Sequence, residues 1–198
     1  MADLTEHPLG SQELIHGDFL HAFRDQVRLP DGSTSYREYL RHPGAVMIIP
    51  LLEGEDGALQ LVLERQYRYP IRQAIIEFPA GKLDEGEAPL VCAQRELLEE
   101  TGYRAREWAR AGLLHPTVSY STEFIEIWFA RGLSLGQRKL DEGEFLEVFT
   151  ATPQQLHDWC REGRITDGKT LIGALWVQNT LNGSWPLDWR PVAGDPGP

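Results

Sequence analysis

Three glutamates, Glu96, Glu99 and Glu100, fall within five consecutive positions of the segment "GKLDEGEAPLVCAQRELLEETGY", residues 81–103. Carboxylates this close repel one another, and the same oxygen atoms are the ligands that a hard divalent cation prefers. If a helix runs from about Pro89 to Thr101, Glu100 lies about 40° to one side of Glu96 and Glu99 about 60° to the other. Leu90, Ala93, Leu97 and Leu98 spread over the opposite arc, so the helix buries one side and presents a compact carboxylate cluster on the other. An acidic stripe is most often a solvated helix face. Here two of the acids stand at the C-terminal end, where the macrodipole disfavours negative charge, and no lysine or arginine follows them before Gly102. A cation such as Mg2+ would turn that repulsion into coordination.

The preceding loop, "EFPAGKLDEGE", supports the cation. Pro79 and Gly81 directly follow the strand-like "AII", so the backbone turns sharply there and can bring a carbonyl close to the carboxylates. Arg95 could hold a neighbouring carboxylate through its planar fork, although a plain surface arginine fits its position equally well. Cys92 lies one turn before Glu96. A thiolate is a poor ligand for a hard cation, so Cys92 reads as a small residue that allows close packing.

The elements that must position this cluster follow from periodicity. "AVMIIPLL" (45–52), "LQLVLERQY" (59–67) and "FIEIWFA" (124–130) read as strands of a mixed sheet. "EDG" between the first two fits a hairpin turn, and "LPDGS" (29–33) predicts an earlier hairpin in a small separate sheet. After the acidic helix, "TPQQLHDWCREG" predicts a second, with Thr152 as cap, Pro153 in its first turn and Gly163 at its end. A third runs through "KTLIGALWVQN", and the Pro- and Gly-rich tail from Leu181 should wrap the surface or fray. This order favours α+β over regular βαβ alternation. "GRITDGKT" (163–170) matches the Walker A pattern, but that loop needs a strand before it, and here it follows a helix. Gly163 and Gly168 are better read as bracketing the loop between the last two helices.

The chain has 198 residues, 41% of them hydrophobic, enough for one large domain or a domain with a small appendage. Its 30 acidic and 19 basic residues give a formal charge of −11, which argues against a nucleic-acid binder and leaves small anionic ligands reached through a cation. Two cysteines, Cys92 and Cys160, cannot make a disulfide framework, so a reducing cytoplasm is expected. The N-terminus lacks the pattern of a secretion signal, and no apolar run approaches the roughly 20 residues that span a bilayer, so neither secretion nor membrane insertion is expected.

The acidic segment resembles the Nudix box: Gly, five residues, Glu, seven residues, Arg-Glu, an apolar residue, any residue, Glu-Glu, any residue, Gly and an apolar residue. Gly81, Glu87, Arg95, Glu96, Leu97, Glu99, Glu100, Gly102 and Tyr103 supply every fixed position. The resemblance implies a Nudix α/β/α sandwich at 45–180, an N-terminal β-hairpin and dimerisation region at 1–44, and a C-terminal tail at 181–198. It also implies hydrolysis of a nucleoside diphosphate linked to another group, with Mg2+ or Mn2+ held by Glu96, Glu99, Glu100 and the carbonyl of Ala80.

"ERQYRYP" (64–70), "EFPAGKLDEGE" and "HPTVSYSTE" (115–123) look like the ADP-ribose pyrophosphatase branch. Pro116, which corresponds to a marker proline of that branch, comes slightly early, so GDP-mannose and other nucleotide sugars stay in play. The resemblance assigns Arg68, Tyr67 and Glu77 to the substrate. It assigns catalysis to Arg95, Glu99 and the late-loop acids Glu142 and Glu144 of "KLDEGEFLEV", with Glu142 favoured; a surface acidic turn is the plain alternative. Tyr67, Tyr69 and Tyr120 could stack on a purine, although aromatics at strand ends are more often packing residues. The implied products are AMP and ribose 5-phosphate, and the implied assembly is a homodimer. A non-catalytic ADP-ribose sensor is the competing class, but such domains typically carry an eroded box. A structural adaptor would have no need for the crowded carboxylates.

Overall fold

In the computed structural model, which describes residues 2–54, 56–140, 143 and 145–192, the chain divides into two units. The first comprises the residues up to Gly44 together with His115–Phe124. Its strands β1 (His7–His16), β2 (His21–Arg28) and β3 (Thr34–Arg41) form a three-stranded antiparallel sheet in that order. Gly32, at φ 86°, makes the β2–β3 turn that "LPDGS" predicts, and the Leu29 N–H donates to the Ser33 carbonyl at 2.8 Å. The His115–Phe124 segment is tied to β3 by hydrogen bonds from the Leu40 N–H to the Tyr120 carbonyl and from the Thr122 N–H to the Leu40 carbonyl.

The second unit holds the acidic segment. Its strands are β4 (Ala45–Glu53), β5 (Leu59–Arg68), β6 (Gln73–Glu77), β7 (Ala80–Lys82), β8 (Tyr103–Leu114), β9 (Ile125–Leu135), β10 (Leu146–Ala151) and the short β11 (Arg190–Pro191). The order is β10-β5-β4-β9-β8-β11, with β6 added to β5 and β7 to β4. The sheet is mixed, because β4 and β9 run parallel while the other pairs are antiparallel.

The uninterrupted apolar run of β4 has a simple cause: both faces of the sheet are covered. Met47 and Ile49 point into one core with Leu61, Leu63, Ile127 and Phe129, which is closed by Leu156 of α2 (Pro153–Arg161) and by Ala174 and Val177 of α3 (Gly168–Leu181). Val46 and Ile48 point the other way, into a core with Trp108 and Ala130 that is closed by Cys92 and Ala93 of α1 (Pro89–Glu96) and by Leu97. This is the three-layer arrangement that the α+β reading implies.

Among the strands that periodicity does not foresee, β8 and β10 are the longest in the main sheet. β8 carries Arg104, Arg106, Glu107 and Arg110 among buried Ala105, Trp108 and Ala109, and the shift of register between Arg110 and Gly112 breaks its alternation. β10 lies in the segment that reads as a late acidic loop, yet it pairs in regular register with β5 from Leu146↔Gln66 to Ala151↔Leu61. The ends of α2 are as expected. Thr152 and Gln155 make a reciprocal capping box at α2, and Gly163 leaves α2 at φ 71°. The Walker-like letters are therefore a helix–loop–helix connection in which Asp167 caps α3.

That connection also braces the strand end before the acidic loop. Asp167 Oδ2 accepts from the Thr170 N–H at 2.9 Å and the Thr170 hydroxyl at 2.6 Å, while Thr170 Oγ1 accepts from the Phe78 N–H at 3.1 Å. Thr170 is fully buried, so no water can replace it. Thr170→Val, which keeps the shape and removes the two bonds of the hydroxyl, should lower stability by about 1–3 kcal/mol. Urea unfolding should show a lower midpoint with an unchanged slope.

Candidate active site

α1 starts at Pro89 as the sequence predicts, but it is not α-helical to Thr101. After Glu96 the chain widens into a π turn over Leu97–Thr101, and Gly102, at φ 78°, closes it by donating to the Leu98 carbonyl at 2.9 Å. The carboxylates consequently do not form a uniform exposed stripe. Glu99 keeps partial access to water, Glu96 is largely covered, and Glu100 turns inward until only 3% of it is exposed.

Each acid has a defined anchor. Glu100 Oε2 accepts from the Ala80 N–H of β7 at 3.0 Å. Glu96 packs against the backbone of Gly81, where an added Cβ would sit 1.9 Å from its carboxylate; glycine is needed there for space rather than for an unusual φ. Arg95 binds the rest. Its Nη1 donates to Glu96 Oε1 at 2.7 Å and to Glu99 Oε2 at 3.1 Å. Its Nε and Nη2 grip both oxygens of Glu87, at 3.0 and 2.8 Å, and Nη2 also reaches the Lys82 carbonyl at 3.1 Å. Arg95 is thus no plain surface arginine. One positive charge serves three carboxylates, which leaves an excess of two negative charges in this quartet. The Glu87 hydrogen bond comes first among the causes that push the Arg95 guanidinium above its usual range. Cys92, fully buried, donates its S–H to the Lys82 carbonyl at 3.3 Å, and burial pushes its thiol well up. It packs in the core with Ala93 and Leu97.

A second polar group adjoins this one through β6. Glu77, at its end, accepts Arg68 Nε at 2.7 Å on one oxygen and the Lys169 ammonium on the other, while Lys169 also reaches Asp167 at 3.0 Å. Burial alone would lower the Arg68 guanidinium, but the Glu77 hydrogen bond and the charges of Glu77, Glu64 and Glu100 outweigh it and hold it above its usual range. Arg68 therefore lies within the field of Glu100, which links the two groups. Tyr67 is more than half exposed, and so is Tyr69. Glu142 and Glu144 lie outside the described residues.

Glu64 and Lys169 escape sequence reasoning. Glu64 sits fully buried on β5, opposite Glu77 on β6. Its signal is a carboxylate that continues the apolar run "LVL" in a strand covered on both faces. Lys169 is hidden inside the Walker-like letters.

The arrangement provides oxygen ligands held by sheet and helix, with more negative charge than its own arginine neutralises. The chain also resembles known proteins over most of its length. The model of the NUDIX domain matches residues 41–171. The chain is 37% identical to a methanol dehydrogenase activator of Bacillus methanolicus, over 87% of this chain and 92% of that one. It is 32% identical to an ADP-ribose pyrophosphatase of Bacillus subtilis (strain 168), over 90% and 95%. A crystal structure of an ADP compounds hydrolase superposes with a TM-score of 0.80 at 23% identity, covering 91% of this chain and 97% of that one, a likeness of fold.

The Arg95 hydrogen bond holds the Glu87 carboxyl at about 2, below the ordinary carboxylate range. A lowered folded value adds stability that is complete above the ordinary pKa and is lost as pH falls toward the folded one. Glu87→Gln should therefore be less stable than the parent at pH 7 in EDTA, by roughly 1–3 kcal/mol. The two stabilities should converge as pH drops from about 4.5 to about 2, as followed by denaturant unfolding.

Proposed function

The chain belongs to the Nudix family, and from that premise we propose that it is a hydrolase cleaving ADP-ribose with one water to AMP and ribose 5-phosphate, using Mg2+ or Mn2+. The observation that carries this reading is the Arg95 cluster. Three carboxylates share one guanidinium, Gly81 leaves the space that the Glu96 carboxylate fills, and Glu100 is fixed to the β7 backbone. Hard oxygen donors with surplus negative charge fit an oxygen-seeking dication and suit a soft metal poorly.

Glu96, Glu99, Glu100 and the Ala80 carbonyl would hold the ion. When bound, it neutralises pyrophosphate oxygens and acidifies a water for in-line attack on phosphorus. Arg95 keeps Glu96 and Glu99 in place and stops their mutual repulsion from splaying the site. Arg68, steadied by Glu77 and partly open to solvent, offers its remaining N–H groups to a phosphate or ribose oxygen. Tyr67 offers an exposed ring edge to the nucleotide. A late-loop carboxylate, Glu142 or Glu144, takes the proton of the attacking water.

We further read the protein as a cytoplasmic homodimer in which the N-terminal sheet meets a second copy and helps enclose the nucleotide. Exposure of β1 along its whole length, with Leu9, Leu14 and Ile15 in water, supports that reading. Among the described residues, no helix is long and apolar enough to cross a membrane.

Glu100→Gln and Glu96→Gln should each lower kcat for AMP release by at least about 100-fold, with far-ultraviolet circular dichroism unchanged. A near-parental rate in either would remove the metal assignment. Sedimentation velocity should give a mass twice that of the chain; a monomer at micromolar concentration would sink the dimer.

A further inference from the structure

Far along the sequence from the acidic helix, the tip of the N-terminal hairpin gathers a second set of ligand-type side chains. Glu13 and His16 lie on β1 and His21 on β2, and one atom from each falls within 4.8 Å of the other two. The Nδ1 atoms of His16 and His21 both face the same carboxylate oxygen, Glu13 Oε1, at 3.0 and 2.9 Å. The two rings stand edge to face with centroids 4.7 Å apart.

Regular strand geometry would not allow this. Side chains alternate between faces with a period of two, so residues three apart, such as Glu13 and His16, should point to opposite sides. The pairing of β1 with β2 slips between Glu13↔Phe23 and Ile15↔Ala22, so Leu14 is an extra residue and His16 then pairs with His21. His21 and Phe23 share a face of β2, and the bulge brings Glu13 and His16 onto it. Arg41, which pairs with His21 from β3, lays its guanidinium over the Phe23 ring at 3.8 Å from the centroid instead of joining the cluster.

We propose that Glu13, His16 and His21 form a site for a first-row transition-metal dication of the Zn2+ class, independent of the carboxylate cluster. Two imidazoles and one carboxylate are the donor set that Zn2+, Co2+ and Ni2+ accept, whereas Mg2+ favours oxygen alone. Bonds of about 2.0–2.1 Å place tetrahedral ligand atoms about 3.3 Å apart, close to the present separations at Glu13, so small rotations suffice. The dication would bind the two Nδ1 atoms that face Glu13, each neutral imidazole then carrying its single proton on Nε2. Three protein ligands leave one coordination position for water or a fourth group. Because its ligands come from both strands, the ion pins the hairpin tip.

Untagged protein, stripped with EDTA and then held in excess Mg2+, is titrated calorimetrically with Zn2+. One equivalent should bind to the parent and to Glu96→Gln/Glu100→Gln alike, while His16→Ala/His21→Ala should bind at least about 100-fold more weakly. Co2+ should give the parent an intense visible band that the histidine variant lacks. Both histidines reach solvent, so that variant should fold, and Glu13→Gln, which keeps the shape of the tip, should weaken binding in the same direction. No Zn2+ uptake by the parent, or uptake unchanged in the histidine variant, would overturn the site.

Discussion

A single guanidinium holds the acidic segment together. Arg95 reaches the loop through Glu87, its own helix through Glu96, the π turn through Glu99 and the sheet through the Lys82 carbonyl. Three of these four anchors are carboxylates that would otherwise repel one another, and the fourth, a carbonyl, ties them to β7. Each charge-assisted bond is stronger than a neutral one, and the bidentate grip on Glu87 fixes direction as well as distance. The stabilisation is nevertheless incomplete by design of the charge count, since one cation cannot neutralise three anions. What remains is a preformed demand for positive charge at a fixed place, the electrostatic state in which a dication gains most.

The backbone supplies the remaining constraints. Glu100 is almost wholly buried, and a carboxylate there requires compensation, part of which the Ala80 N–H gives. Gly81 admits Glu96 by having no side chain, so the β7 strand and the helix approach more closely than any larger residue would permit. Behind β7, the strand end that precedes the loop is braced by Thr170 and by the Glu77–Lys169–Asp167 chain from the start of α3. The charge network and the hydrogen-bond network thus share β6 and β7. A displacement of α3 would be felt at Arg68 before it was felt at Arg95.

Much of this was legible in the sequence, for identifiable reasons. β4, β5 and β9 are apolar runs whose burial on both faces leaves no competing pattern, and α2 is announced by Thr152, Pro153 and Gly163. The carboxylates of the acidic segment stand out because their spacing is dense and their composition unusual. β8 and β10 were not legible. In β8 three exposed arginines and the half-buried Glu107 mask three small or aromatic buried residues, and β10 is read as a loop because the acidic turn before it dominates the local composition. Glu64 and Lys169 were missed because burial and pairing are tertiary facts: the sequence does not say that Glu64 is enclosed or that Lys169 meets Glu77, 92 positions before it. The Walker-like letters show the converse error, a local match whose meaning is cancelled by the helix in front of it.

The places where periodicity fails are also the places where chemistry collects. An ideal α-helix would set Glu100 almost above Glu96, on the solvent side; the π turn rotates it inward to the Ala80 N–H. An ideal strand would set Glu13 and His16 on opposite faces; the extra residue at Leu14 puts them on one. In both cases one irregular residue moves a carboxylate from where its neighbours' pattern would leave it to where another polar group waits. Regular secondary structure repeats a small set of directions, and a site needs side chains to converge from directions that the repeat does not contain. Departures from period, more than conformity to it, therefore mark where a chain of this kind has been shaped to hold something.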